Sequence, residues 1–183
     1  MASLLVLVTG DRIGDALLKW PIIAGLKHCV PETNITWIAT RRASVFCGPL
    51  AGLVEGIIER PVEKAGIGLS WLEFFKPVPP YSADIVISTE PKVRNAILDR
   101  RIPHQTFISP AAKFVFSDVK PPAPLKTAAS VQGRLQPVFE LAVGQAIEPM
   151  HHIPLPDKLL SLAETLLPAG QTSIGFSPGA GGD

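Results

Sequence analysis

The sequence predicts an α/β fold, a Rossmann-like three-layer domain built on a mainly parallel sheet. Three observations carry this. Apolar, β-branched runs alternate along the chain with segments of helical spacing, the pattern of parallel strands joined by right-handed helical crossovers. The opening run SLLVLV is apolar without alternation, as a strand covered on both faces should be. It stops at Gly10, and a helical pattern starts within a few residues, as at the strand-to-helix joint of a doubly wound fold.

In chain order, strands are expected at 3–9, 34–39, 55–59, 83–88, 104–108 and 172–176, each rich in β-branched or aromatic residues and bounded by turn formers. The first helix is expected over 15–28, with Leu17, Leu18, Ile22 and Leu26 on one face. Pro21 removes a backbone donor there and should bend or interrupt it. Helical spacing recurs over 68–76, 91–100, 134–144 and 157–167. The 19 prolines cluster at 77–80, 121–124 and 149–156, which read as rigid loops and linkers. After the last cluster comes Asp157, an N-cap candidate, with Leu159, Leu160, Leu162 and Leu166 behind it. The expected organisation is therefore one domain over 1–148, a linker and interdomain helix over 149–170, and the first strand and glycine-rich loop of a second domain over 171–183.

A chain of 183 residues can bury roughly 70% of its unfolded surface in a single core, so it needs no covalent staples. A formal net charge of +1 lacks the strongly basic character of nucleic-acid binders. The opening MASLLVLV has no basic n-region and is cut short by Gly10 and Asp11, so it reads neither as a signal peptide nor as a membrane span. Cys29 and Cys47 have no metal-ligand spacing around them and read as reduced thiols of a cytosolic protein. Adjacent His151 and His152 point in different directions on any regular element, and His28 and His104 are isolated, so no metal site is expected.

The chemistry concentrates at the first joint, which carries Asp11, Arg12, Gly14 and Asp15. In an open α/β sheet this joint lies at the carboxyl edge of the strands, where ligands bind. Glycines four apart make neither a G-x-G-x-x-G fingerprint nor a Walker A loop, and two carboxylates sit where a pyrophosphate would go. A substrate hydroxyl that must lose a proton suits the place better. Asp15 reads two ways: a helix N-terminal acid, stabilised by about 0.3–1 kcal/mol in the helix dipole, or a general base. Arg41 and Arg42 after the second strand, and Lys92 and Arg94 after the 83–88 strand, share that edge and are candidates for holding an anionic substrate, or are simply solvated. Near the C-terminus, Gly175 to Gly179 matches the G-x-S-x-G nucleophile elbow, but Pro178 has no N–H for an oxyanion hole, so a hydrolase is rejected.

The stretch LLVLVTGDRIGDALLKWPIIAGLKHCVPETNITWIATRR resembles the opening of bacterial glycosyltransferase family 9, the heptosyltransferases of lipopolysaccharide core synthesis. Ile13, Gly14, Asp15, Leu17 and Pro21 satisfy the family's I-G-D-x-L-x-x-x-P pattern, and similarity continues through ADIVISTEPKVRNAIL and IGFSPGAGG. The resemblance implies the N-terminal half of a GT-B fold, with Asp15 as the general base of an inverting transfer. It implies an acceptor surface of Asp11, Arg12, Gly14, Arg41, Arg42, Lys92 and Arg94. It also implies that Ser177, Gly179, Ala180, Gly181 and Gly182 face the donor phosphates.

By the same resemblance the donor is a nucleotide sugar of the ADP-heptose kind, used as co-substrate with no further cofactor. The acceptor is a saccharide or glycolipid, and the site of action is the cytoplasm at the inner face of its membrane, with peripheral membrane association. No amphipathic basic helix marks such a contact in this sequence. A half lacking its donor domain is expected to be inactive alone, because transfer needs both substrates oriented in one cleft. Two alternatives remain: a Rossmann-type nucleotide-binding oxidoreductase domain, and a non-catalytic carbohydrate-binding protein.

Overall fold

The computed structural model describes residues 2–67, 70–123, 128, 130–153, 157–167 and 170. Five strands, β1 (Ser3–Val8), β2 (Asn34–Ala39), β3 (Arg60–Val62), β4 (Ile85–Ser88) and β5 (Thr106–Ile108), form one parallel sheet in the order β3-β2-β1-β4-β5. β1 is central, with Val6 opposite Trp37 of β2 on one side and Ile87 of β4 on the other. Its residues Leu4 to Val8 are all buried, because helices or crossovers cover both faces. The chain winds outward from β1 in both directions, so the carboxyl ends of β1 and β4 frame the topological switch point.

Helix α1 (Ile13–Cys29) packs with α3 (Val131–Val143) on one face, where the Trp37 ring meets Phe46 edge-on at 6.1 Å and Phe139 at 6.4 Å. On the other face Leu5, Leu7, Ile38, Val86 and Phe107 pack with Ala96 of α2 (Val93–Asp99) and with Ile102. Alternate residues of each strand thus serve two cores.

Several sequence expectations need correction. The third strand is at 60–62, not 55–59: Gly56 takes a left-handed turn at φ +72°, and the chain joins the sheet only after it. Pro61 is tolerated there because β3 is an edge strand. The expected 68–76 helix is a short 3-10 helix at Trp71–Phe75, since its apolar side chains face solvent and give a longer helix nothing to pack on. Pro21 does not interrupt α1. Leu17 and Leu18, expected on the inner face of that helix, are exposed; residues Lys19 to Leu26 are buried all round instead, between sheet and α3.

The chain divides into two units, Met1–His152 and Ile153–Asp183. The second contains α4 (Asp157–Leu166), in which Asp157 is the first helical residue and Leu160, Leu162 and Leu166 are exposed. The expected strand at 172–176 and the donor-phosphate candidates Ser177, Gly179, Ala180, Gly181 and Gly182 lie outside the described residues.

Candidate functional site

The two acids of the first joint have opposite fates. Asp11 is buried, and its carboxylate is fully engaged: Lys19 pairs with Oδ1, Trp37 Nε1 donates to Oδ2 at 2.7 Å, and Ser44 Oγ donates to Oδ2 at 3.1 Å. Its backbone is tied as well, accepting from Val45 N at 3.1 Å and donating to Ala43 O at 3.2 Å. Asp11 is therefore no acceptor contact but a buried clamp. It joins the end of β1 to β2, to α1 and to the loop after β2, and so fixes the direction in which α1 starts. Burying two charges is tolerated because hydrogen bonds satisfy both carboxylate oxygens.

Asp15, one helical turn on, is exposed in the first turn of α1 and forms no hydrogen bond or ion pair among the described residues. The N-cap residue Arg12 makes no side-chain cap, so the amide end of the helix stays open beside it. The two glycines of the joint differ likewise. A side chain at Gly10 would meet Arg42 Cβ at 2.4 Å, so that glycine makes room for the neighbouring loop rather than for a ligand. Nothing lies within 4 Å of a side chain at Gly14, and a substrate can approach the backbone there.

Arg12, Arg41, Arg42 and Lys92 are exposed and Arg94 is half-buried, its Nε shielded from solvent and unpartnered. The turn holding Arg41 and Arg42 is fixed by their two N–H groups, both donating to Thr9 O, at 3.1 and 2.9 Å. Among the described residues none of the five forms a salt bridge. Arg12 follows β1, Arg41 and Arg42 follow β2, and Lys92 and Arg94 follow β4, and in a parallel sheet the carboxyl ends of these strands lie along one edge.

One residue of this edge is absent from the sequence-based expectation. Glu90, just past β4, accepts from Thr9 N at 3.2 Å and from Thr9 Oγ1, closing the switch point between β1 and β4 with a half-buried carboxylate. Its signal was positional: a polar residue directly after a strand of an open α/β sheet stands at the ligand edge. Beyond β5, Ala112, Lys113 and Phe114 run in succession through the left-handed region, a conformation disfavoured for side-chain-bearing residues. Cys47 is free and exposed, and its thiol is pushed up by partial burial and by the Glu63 and Asp11 charges.

No protein-family model and no curated protein matches the sequence. Solved structures do. Escherichia coli heptosyltransferase WaaC with ADP is similar at a TM-score of 0.54 and 16% identity, over 82% of this chain and 50% of that one. The glycosyl transferase family 9 protein from Veillonella parvula DSM 2008 is similar at 0.54 and 18% identity, over 93% and 51%. WaaC with ADP-2-deoxy-2-fluoro heptose is similar at 0.53 and 15% identity, over 93% and 55%. The chain spans about half the length of these proteins, and what it shares with them is the fold: a Rossmann-like α/β unit of the kind that makes up one half of a GT-B fold.

Proposed function

We propose that this chain is the acceptor-binding half of an inverting glycosyltransferase, moving heptose or a related sugar from an ADP-heptose-like donor to a saccharide or glycolipid acceptor. The observation that carries the reading is the Asp15 carboxylate, exposed and unpaired at the carboxyl edge of a sheet whose fold is that of such enzymes. In this reading Asp15 takes the proton of the acceptor hydroxyl as its oxygen bonds to the anomeric carbon. The bond from that carbon to the donor phosphate breaks, and the nucleoside diphosphate leaves with the electron pair. Arg12, Arg41, Arg42, Lys92 and Arg94 hold the acceptor through its anionic groups, and open space above Gly14 lets it come close. The donor phosphates fall to Ser177, Gly179, Ala180, Gly181 and Gly182. The work is done at the cytoplasmic face of a membrane. The oxidoreductase alternative is disfavoured by the Glu90 carboxylate at the end of β1, where a dinucleotide pyrophosphate would need positive or neutral groups.

Comparing two aspartates tests this. In the full-length protein assayed with a panel of nucleotide sugars, Asp15→Asn should lower turnover by about 10²- to 10⁴-fold with an unchanged unfolding midpoint. Asp11→Asn should instead lower stability by a few kcal/mol, on the order expected when a buried lysine loses its counter-ion. Wild-type turnover in Asp15→Asn removes the mechanism.

A further inference from the structure

We propose that residues 71–78, in the crossover from β3 to β4, form a membrane-docking element that inserts into the headgroup region of an anionic lipid bilayer. The segment reads WLEFFKPV and exposes Trp71, Leu72, Phe74, Phe75 and Val78 together. Within this short 3-10 helix the Phe74 and Phe75 rings meet edge-on with centres 6.2 Å apart, and Lys76 follows as its C-cap. A contiguous apolar patch of this kind marks an interaction site.

This exposed surface is held firmly. Ser70 and Glu73 form a capping box, in which Glu73 Oε1 accepts from Ser70 N at 2.9 Å and is thereby turned toward the backbone. Arg101 donates to Glu73 O and, at 2.6 Å, to Lys76 O, and its guanidinium lies 5.4 Å from the centre of the Phe74 ring. The underside faces Leu98 and Arg101 across a hollow of about 220 Å³. Pro77, Pro79 and Pro80 stiffen the exit. The apolar residues are thus presented outward by a rigid base.

The composition and charge of the tip select the occupant. Phe75 is 87% exposed, so its ring is free to enter a deformable apolar surface. Lys76 is exposed among these apolar residues in the sequence and Arg101 lies at their base, while the acid Glu73 is occupied with the cap. Trp and Phe beside lysine and arginine is the composition of a bilayer interface, where each cation near anionic headgroups adds about 1 kcal/mol. No helix among the described residues is long and apolar enough to cross a membrane, so docking is peripheral. Docking of this kind supplies the physical contact for action at a membrane face and is independent of the transfer chemistry.

The test is co-sedimentation of this chain with phosphatidylglycerol vesicles and with neutral phosphatidylcholine vesicles, read alongside tryptophan emission. Trp20 and Trp37 are 1% and 0% exposed and Trp71 is 53% exposed, so a blue shift on vesicle addition reports Trp71 alone. The chain should partition onto phosphatidylglycerol with a blue shift, and more weakly onto phosphatidylcholine. Phe75→Asp should reduce partitioning by about tenfold or more, and Lys76→Glu should reduce it on phosphatidylglycerol only. Both residues are exposed, so thermal unfolding should be unchanged in either variant. Absent partitioning, an unshifted emission, or wild-type partitioning by Phe75→Asp overturns the proposal. So does concentration-dependent self-association that Phe75→Asp abolishes while vesicles stay unbound. Transfer measured on a soluble acceptor reads the catalytic proposal separately from either outcome.

Discussion

Asp11 and Asp15 are the same residue type four positions apart, and the difference between them is one of surroundings. Asp11 leaves the strand while still between neighbouring loops, meets Lys19, Trp37 and Ser44, and is consumed by them. Asp15 is already on the helix and exposed, and it forms no hydrogen bond or ion pair among the described residues. A third aspartate, Asp99 in α2, is buried; among the described residues its carboxylate is met by Ser88 Oγ, at 2.6 Å from Oδ2, and its Oδ1 has no partner. Burial pushes its carboxyl up to about 7, the Glu90 and Glu73 charges add to the rise, and the Ser88 hydroxyl opposes it. A carboxyl raised in the folded state destabilises the protein as pH climbs from its unfolded value toward its folded one. Stability should therefore fall between about pH 4 and pH 7 and level off above. Asp99→Asn, which keeps an acceptor for Ser88, should be more stable than wild type at pH 8 by on the order of 4 kcal/mol. The two should converge near pH 4, as measured by urea unfolding across that range. A pH-independent difference would assign Asp99 a purely packing role.

Helix α1 is the element on which the site depends, because its N-terminus carries Asp15 and its middle fixes its position against the rest of the unit. Its buried run includes Gly25, where a side chain would meet Glu148 O at 2.3 Å and Ile147 Cγ2 at 3.0 Å. The chain after α3 lies that close to the helix, and Met150 N donates to Pro21 O at 2.9 Å beside it. Alanine would raise helix propensity by about 1 kcal/mol, but the clash is with backbone, which cannot rotate away. Gly25→Ala should accordingly destabilise by about 1–3 kcal/mol, seen as a lower thermal midpoint. A stabilised variant would show that the 147–150 segment yields. The spacing of apolar residues located this helix but misjudged which of its faces is buried. Leu17 and Leu18 are as apolar as Ile22 and Leu26, and only the site of α3 packing separates them. The Trp71–Phe75 segment misled in the same way, since apolar side chains at helical spacing signal burial only where a partner surface exists.

At the scale of the whole molecule, all five strands, α1, α2 and α3 belong to Met1–His152. That unit contains both faces of its own core, so a chain of residues 1–152 should fold alone and unfold in one cooperative thermal transition; a broad, non-cooperative transition would show that it depends on the residues after 152. The alternation of strands and helices was legible without coordinates, because a strand covered on both faces needs an uninterrupted apolar run and a crossover needs a helical one. That Arg12, Arg41, Arg42, Lys92 and Arg94 come directly after strands was legible too, for the carboxyl ends of parallel strands necessarily share one edge. Local chemistry along the chain thus determined the class of fold and the residue types available at the carboxyl edge of the sheet. Only the tertiary structure decided that Asp11 is a buried clamp and Asp15 a free carboxylate, that Glu90 closes the switch point, and that the 71–78 segment faces outward. Burial and partnership arise from contacts between residues distant in sequence, and no spacing rule applied along the chain contains them.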